Sequence, residues 1–300
     1  MRTLAGATVV ATLVLIVAGG LVTNTGSGLA VPDWPTTFGY NMFLYPWSKM
    51  AGGVLYEHSH RLLGSLVGLL TIVLAATLWI REPRRWVGLL GLAAVLLVSV
   101  QGLLGGLRVV LLQDTIAVVH GCLAHAFFAL TVTLAVVTSR GWQAQRPFSV
   151  PAVLRTTAIA VVALIYLQIV FGALLTHQGR VDLHLIGAAA VLVSVPVLTA
   201  RARAIGAPLL GQPAAWLLLL LLAQLGLGLG AYLARFSDVS IPGGPAMVLA
   251  LPVMHRLVAA MLLGAAVALL ATLLKAGTLP AGVLVPGRAP VASSPVESRS

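Results

Sequence analysis

The sequence predicts an all-α polytopic membrane protein, with eight transmembrane helices arranged as two pseudo-symmetric four-helix bundles. Three observations carry that expectation. Of 300 residues, 59% are hydrophobic and only 8% charged, against about 45–50% and about 25% in soluble domains. Eight apolar stretches are long enough, or nearly so, to cross a bilayer, which takes about 20 residues. The last four stretches also repeat landmarks of the first four.

The stretches run over Leu4–Val22, Glu57–Ile80, Trp86–Leu107, Thr115–Thr138, Val153–Leu175, Leu183–Ala200, Ala214–Leu233 and Leu251–Leu274. The first has a single preceding arginine, Arg2, and its apolar run exceeds that of a usual cleaved signal. It reads as a retained helix, because losing it would break the repeat. It ends in Gly19-Gly20-Leu21-Val22-Thr23, which resembles Gly172-Ala173-Leu174-Leu175-Thr176 at the end of the fifth stretch. Gly26 and Gly179 follow in step. In the third, Gln101 with Gly102, Gly105 and Gly106 resembles Gln224 with Gly226, Gly228 and Gly230 in the seventh. His60 and His184 open the second and sixth stretches, and His120 and His255 open the fourth and eighth. An even number of helices per repeat makes the halves parallel, related by an axis along the membrane normal.

This gives an N-terminal half over residues 1–140 and a C-terminal half over 141–276. A tail over 277–300, rich in Pro, Ser, Ala and Gly, is expected to be disordered. The long connection 23–56, with Pro32, Trp34, Pro35, Pro46 and Trp47, breaks the symmetry. Its aromatic and proline content predicts a folded cap at the outer surface.

A net charge of +11 raises nucleic acid as a partner, but the distribution excludes it. Twelve of the 18 basic residues, including Arg81, Arg84, Arg85, Arg140, Arg201 and Arg203, fall on the N-terminal side of the bundle. Only Lys49, Arg108, Arg180 and Arg235 occupy the opposite loops. The positive-inside rule puts both termini in the cytoplasm of a multi-pass cell-membrane protein, its basic face attracted to anionic lipid. The single cysteine, Cys122, excludes an intramolecular disulfide and covalent haem attachment through Cys-x-x-Cys-His.

Four of the seven histidines, His60, His120, His184 and His255, share one depth near the outer helix ends. An imidazole in hydrocarbon needs a reason. Two pairs facing each other inside helix bundles suit axial ligation of haem iron. The bland reading is a ring bonded to a neighbouring carbonyl or hydroxyl. His58 lies about 200° from His60 around a helix and His125 about 140° from His120, so neither shares its neighbour's direction. His177 is expected in the loop after the fifth stretch, without a counterpart in the first half. Zinc would need tight closure by more ligands than these separate helices supply.

Glu57 precedes His60 by three residues and shares its helix face. It could orient the ligand or relay a proton, or simply favour the helix dipole. Arg61 and Arg256 each follow a proposed ligand. Both suit haem propionates, with snorkelling to headgroups as the alternative. Asp182 reads as a cap for the sixth helix.

The run Thr25-Gly-Ser-Gly-Leu-Ala-Val-Pro-Asp-Trp-Pro35, then Glu57-His-Ser-His-Arg61, then the helices of His120 and His255, resemble the haem A synthase family. The likeness spans nearly the whole chain up to the tail. It implies eight helices in two four-helix halves and oxidation of the C8 methyl of haem O to a formyl group. His60 and His120 would then face the substrate haem O, His184 and His255 would ligate a haem b cofactor, and Glu57 would match the family's essential carboxylate. Haem O synthase and cytochrome oxidase assembly factors are the implied partners. Two departures stand out. Where many bacterial members carry a cysteine pair in the first loop, this chain has Val31 and Thr36 or Thr37, so a redox role for that loop does not transfer. His184 is followed by Leu185 rather than arginine. Two rival readings remain at this stage. A dihaem cytochrome b exchanging electrons with quinol would explain the histidines, though its haems would usually lie near both faces. A proton-coupled transporter would call for helices broken at the midplane.

Overall fold

A computed structural model describes residues 1–145 and 148–279. Among them, eight helices are long and apolar enough to cross a membrane. They are α1 (Arg2–Asn24), α2 (Gly53–Arg81), α3 (Arg85–Leu111) and α4 (Asp114–Val137), then, after the short α5 (Arg140–Gln143), α6 (Ala152–Gln178), α7 (Val181–Ala204), α8 (Pro208–Phe236) and α9 (Gly244–Lys275).

Several ends differ from the sequence expectation. Helix α2 begins at Gly53 rather than Glu57, which puts Glu57, His58 and His60 inside its first turns. Helix α8 begins at Pro208 rather than Ala214, and α9 at Gly244 rather than Leu251. A proline in the first turn lacks only an N–H that would be unpaired there, so it starts a helix where apolar periodicity is silent. His177 lies in the last turn of α6, not in a loop, because the helix runs on to Gly179 with φ +70°. Asp182 does not cap α7. The N-cap residue is Arg180, and the Asp182 carboxylate instead accepts from its guanidinium at 2.9 and 2.7 Å.

Of the expected tail, Gly277–Leu279 forms a strand, β2, pairing in parallel with β1 (Ser149–Pro151). Residues 280–300 lie outside the described residues.

The helices pack in sequence. Helix α1 touches α2, α2 touches α3, α3 touches α4, and α4 returns to α1. The second set runs α6, α7, α8, α9 and back to α6 in the same way. Contacts of α9 with α1 and α4, and of α4 with α6, join the sets. Each set has its own core, built on Val67, Leu74, Leu78 and Leu134 in one and Val195, Leu198, Leu217 and Leu263 in the other. Ile16, Phe128 and Ala260 form the seam between them. Gly264 admits Phe128 there, since a Cβ would stand 3.1 Å from the ring. Small residues at such crossings let helices approach closely in lipid. The buried hydroxyls of Thr8, Thr12, Thr71 and Thr138 each donate to the carbonyl four residues earlier, so no water is needed to satisfy them.

Candidate metal centres and their cap

Near the ends where α1, α3, α6 and α8 finish and α2, α4, α7 and α9 begin, four glycines each receive an imidazole. The His60 ring rests on Gly19, His120 on Gly105, His184 on Gly172 and His255 on Gly228. A Cβ at these glycines would stand 3.1, 3.4, 3.4 and 2.9 Å from the respective Cε1 atoms. At Gly19 and Gly228 the ring takes space a Cβ would need, whereas at Gly105 and Gly172 a Cβ would just touch it.

The rings then meet in pairs. His60 and His120 have centroids 6.5 Å apart with planes at 79°, and His184 and His255 are 6.2 Å apart at 69°. An imidazole nitrogen binds a first-row metal at about 2.0–2.1 Å and lies about 1.1 Å from its own ring centre, so two rings flanking one iron are about 6.3 Å apart. Both pairs fit that spacing. Nδ1 of His60, His120 and His255 is buried without a well-formed hydrogen bond, each ring leaning on the backbone of Leu15, Gln101 or Gln224 one turn before its glycine. Among the described residues, no three His, Cys, Asp or Glu side chains converge. Each centre thus offers two protein ligands, which suits a porphyrin that brings its own four nitrogens.

A glutamine lies one turn before three of the glycines. Gln168 Nε2 donates to the His184 carbonyl at 3.0 Å and lies 3.1 Å from its Nδ1. Gln224 Nε2 lies 3.2 Å from His255 Nε2. Gln101 is buried, with Nε2 unpaired. Sequence reading found Gln101 and Gln224 but missed Gln168. The usable signal was a glutamine four residues before each glycine, a position Leu15 takes before Gly19.

The remaining histidines do not join these pairs. His58 Nδ1 is 3.2 Å from Thr37 Oγ1, and its ring is 5.1 Å from that of Tyr45. His125 bonds the Gly121 carbonyl at 2.8 Å.

Glu57 and Arg61 turn toward the loop Thr25–Gly52 that covers the first pair. Glu57 Oε2 accepts the Val31 N–H at 2.9 Å, and Oε1 pairs with Arg61 at 2.7 Å. Arg61 also donates to the carbonyls of Asp33 (2.8 Å), Thr36 (3.1 Å) and Val31 (3.1 Å). Its fork, expected for a propionate, is occupied by loop carbonyls within its reach. Asp33 accepts from Thr36 and from the amides of Phe38 (2.7 Å) and Gly39 (2.9 Å). Partial burial would raise its carboxyl pKa, but these donors outweigh that and hold it below the ordinary value. Trp34 lies over Gly106, where a Cβ would stand 2.3 Å from the indole. Val31 and Thr37 are fully buried and Thr36 is half-buried.

Arg256 points away from its neighbouring ligand toward α1, where a Cβ on Gly20 would lie 3.8 Å from Nη1. Among the described residues it makes no hydrogen bond or ion pair. On the flank of the first pair, a groove of about 310 Å³ opens between α1 and α2, lined by Ala18, Leu21, Tyr56 and Ser59 among others.

Residues 2–285 match the family model described as cytochrome oxidase assembly protein. Curated relatives named heme A synthase are also similar. The protein of Alkalihalophilus pseudofirmus is 35% identical over 43% of this chain and 43% of its own length. That of Lysinibacillus sphaericus is 32% identical over 59% and 58%. That of Methylobacterium radiotolerans is 32% identical over 58% and 56%. The chain spans about half the length of the curated relatives it matches. Because the family match runs through all eight spanning helices and both imidazole pairs, the chain belongs to the family of cytochrome oxidase assembly proteins.

Proposed function

We propose that this protein makes haem A by oxidising the C8 methyl of haem O to a formyl group. The observation that carries the reading is the coexistence of two imidazole pairs at iron spacing near one end of the bundle. One pair lies under a loop fastened through a buried carboxylate. Two like sites with unlike surroundings suit one site for substrate and one for a resident cofactor.

In this reading His60 and His120 hold haem O, and His184 and His255 hold haem b. Haem b, when bound, supplies the electron transfer that side chains cannot. Gly19 and Gly105 leave the first pair of rings room to align on the substrate iron. Glu57, through Val31 and Arg61, keeps the loop closed over the substrate, and its carboxylate is the local group able to take a proton as the methyl carbon is oxidised. The α1–α2 groove offers a lateral path for an apolar substrate tail from the bilayer. Arg256 faces α1 rather than the second pair, so a propionate of haem b would reach it only if its side chain turned back toward His255. The N-terminal half would be the substrate unit and the C-terminal half the cofactor unit. The positive-inside rule puts both termini in the cytoplasm and the histidines near the outer face. A dihaem cytochrome placing haems near both faces would not bring the four histidines to one end.

Membranes coexpressing this chain with a haem O synthase should contain haem A, identified by extraction and mass, and purified protein should carry haem b. Haem O alone in such membranes, with two b-type haems in the protein, would replace the proposal with an electron-carrying cytochrome. Cysteines placed beside Gly179 should be labelled from the outer side. Labelling only from the cytoplasm would reverse the orientation.

A further inference from the structure

Arg108 lies on α3 three residues beyond Gly105, so it shares the helix face on which His120 rests. Its guanidinium folds over the first loop at Gly28, where a Cβ would stand only 2.4 Å from Nη1. Among the described residues it makes no hydrogen bond or ion pair. It stands within electrostatic reach of both rings of the first pair and of His177 on α6. Arg61, the other arginine beside this pair, is already neutralised by Glu57. Asp114, also within reach of His177, is exposed and forms no ion pair with Arg108. Half-buried in the last turn of α3 under the first loop and without a counter-ion, this guanidinium suits an anion brought by a ligand.

We infer that Arg108 holds a carboxylate of the porphyrin gripped by His60 and His120. The inference rests on reading that pair as a haem site and adds the group that recognises the porphyrin's acidic edge. The planar guanidinium matches a carboxylate through two parallel N–H donors, which an ammonium does not reproduce. Gly28 keeps the space above the fork open, and the backbone of the loop limits where the fork can move. A lipid phosphate offers similar chemistry, so the test must separate the two.

The full-length protein carrying His184→Ala and His255→Ala leaves the first imidazole pair as the haem site. It would be titrated with iron protoporphyrin and separately with its dimethyl ester, which keeps the iron and loses both carboxylates. The readout is the bis-imidazole Soret band, assigned to this site by its loss in His60→Ala. Arg108→Gln should weaken binding of the free acid about tenfold or more and leave binding of the ester unchanged, with Arg108→Lys intermediate. Unchanged binding of both probes would overturn the inference. Equal weakening of both would also overturn it, assigning Arg108 to the fold or to a lipid phosphate. If the parent protein gave no bis-imidazole band with either probe, the haem reading of the first pair would itself be wrong, and the inference would fall with it.

Discussion

Gly228→Ala is the sharpest test of how the imidazole pairs are built. The added Cβ would stand 2.9 Å from His255 Cε1 and 3.3 Å from Nδ1, where ordinary contact begins at 3.4 Å. Ring or helix must yield by about 0.5 Å, while a metal–ligand distance tolerates about 0.2 Å. The ring has little freedom, because it faces His184 on one side and Gln224 on another. Overpacking of this kind costs about 1–3 kcal/mol, which converts to roughly a 5- to 150-fold loss of haem affinity if it falls wholly on the bound state. The other three glycines supply an internal scale. Gly19→Ala meets its ring at 3.1 Å and should be intermediate, whereas Gly105→Ala and Gly172→Ala meet theirs at 3.4 Å and should be nearly silent. The assay is haem retained per protein after purification, with the reduced low-spin spectrum as a measure of two-imidazole ligation. Haem loss in Gly172→Ala together with full low-spin haem in Gly228→Ala would refute the argument that these glycines exist to make room for the rings.

Other expectations follow from the same geometry. His184→Ala and His255→Ala should each lose tightly bound haem b, measured as pyridine haemochrome, since each leaves one axial ligand; full retention in both would remove them from the cofactor site. Glu57→Gln should fold and keep haem b yet stop haem A formation in membranes coexpressing a haem O synthase. Haem A at wild-type yield would make the carboxylate structural only. The Asp33 carboxyl has a lowered pKa in the folded loop. Its contribution is therefore complete above the ordinary value of 3.8 and is lost as pH falls through the lower folded value. Hydrogen-exchange protection of the Phe38 and Gly39 amides should hold from neutrality down to about pH 4.5 and collapse only below that window. Collapse between pH 6 and 5 would point to another group.

Much of this arrangement could be read from the chain. Hydropathy placed the eight spans, and matched depth singled out His60, His120, His184 and His255, which the structure brings together two by two. What stayed hidden was mostly partner choice. Three-residue spacing placed Glu57 on the face of His60 and four-residue spacing set it beside Arg61, but nothing local says that the Val31 N–H takes its other oxygen. Arg61 looked free for a propionate because three of its four partners are loop carbonyls, which no side-chain pattern encodes, although its i,i+4 spacing from Glu57 was there to read. Gln168 escaped notice because Leu15 fills the corresponding place in the first half, so the repeat itself concealed it. The early start of α9 was masked by Gly243, Gly244 and Pro245, residues that usually mark a turn but here form a helix entry.

The covering loop has one further consequence. The segment Thr25–Gly52 holds no cysteine, and it is fastened by Arg61, Glu57, Asp33 and the paired backbones of Thr37 and Tyr40. None of these contacts has a reduction potential. Folding of this segment therefore needs no oxidising enzyme, and its closure over the first imidazole pair should be indifferent to glutathione or dithiothreitol at any concentration.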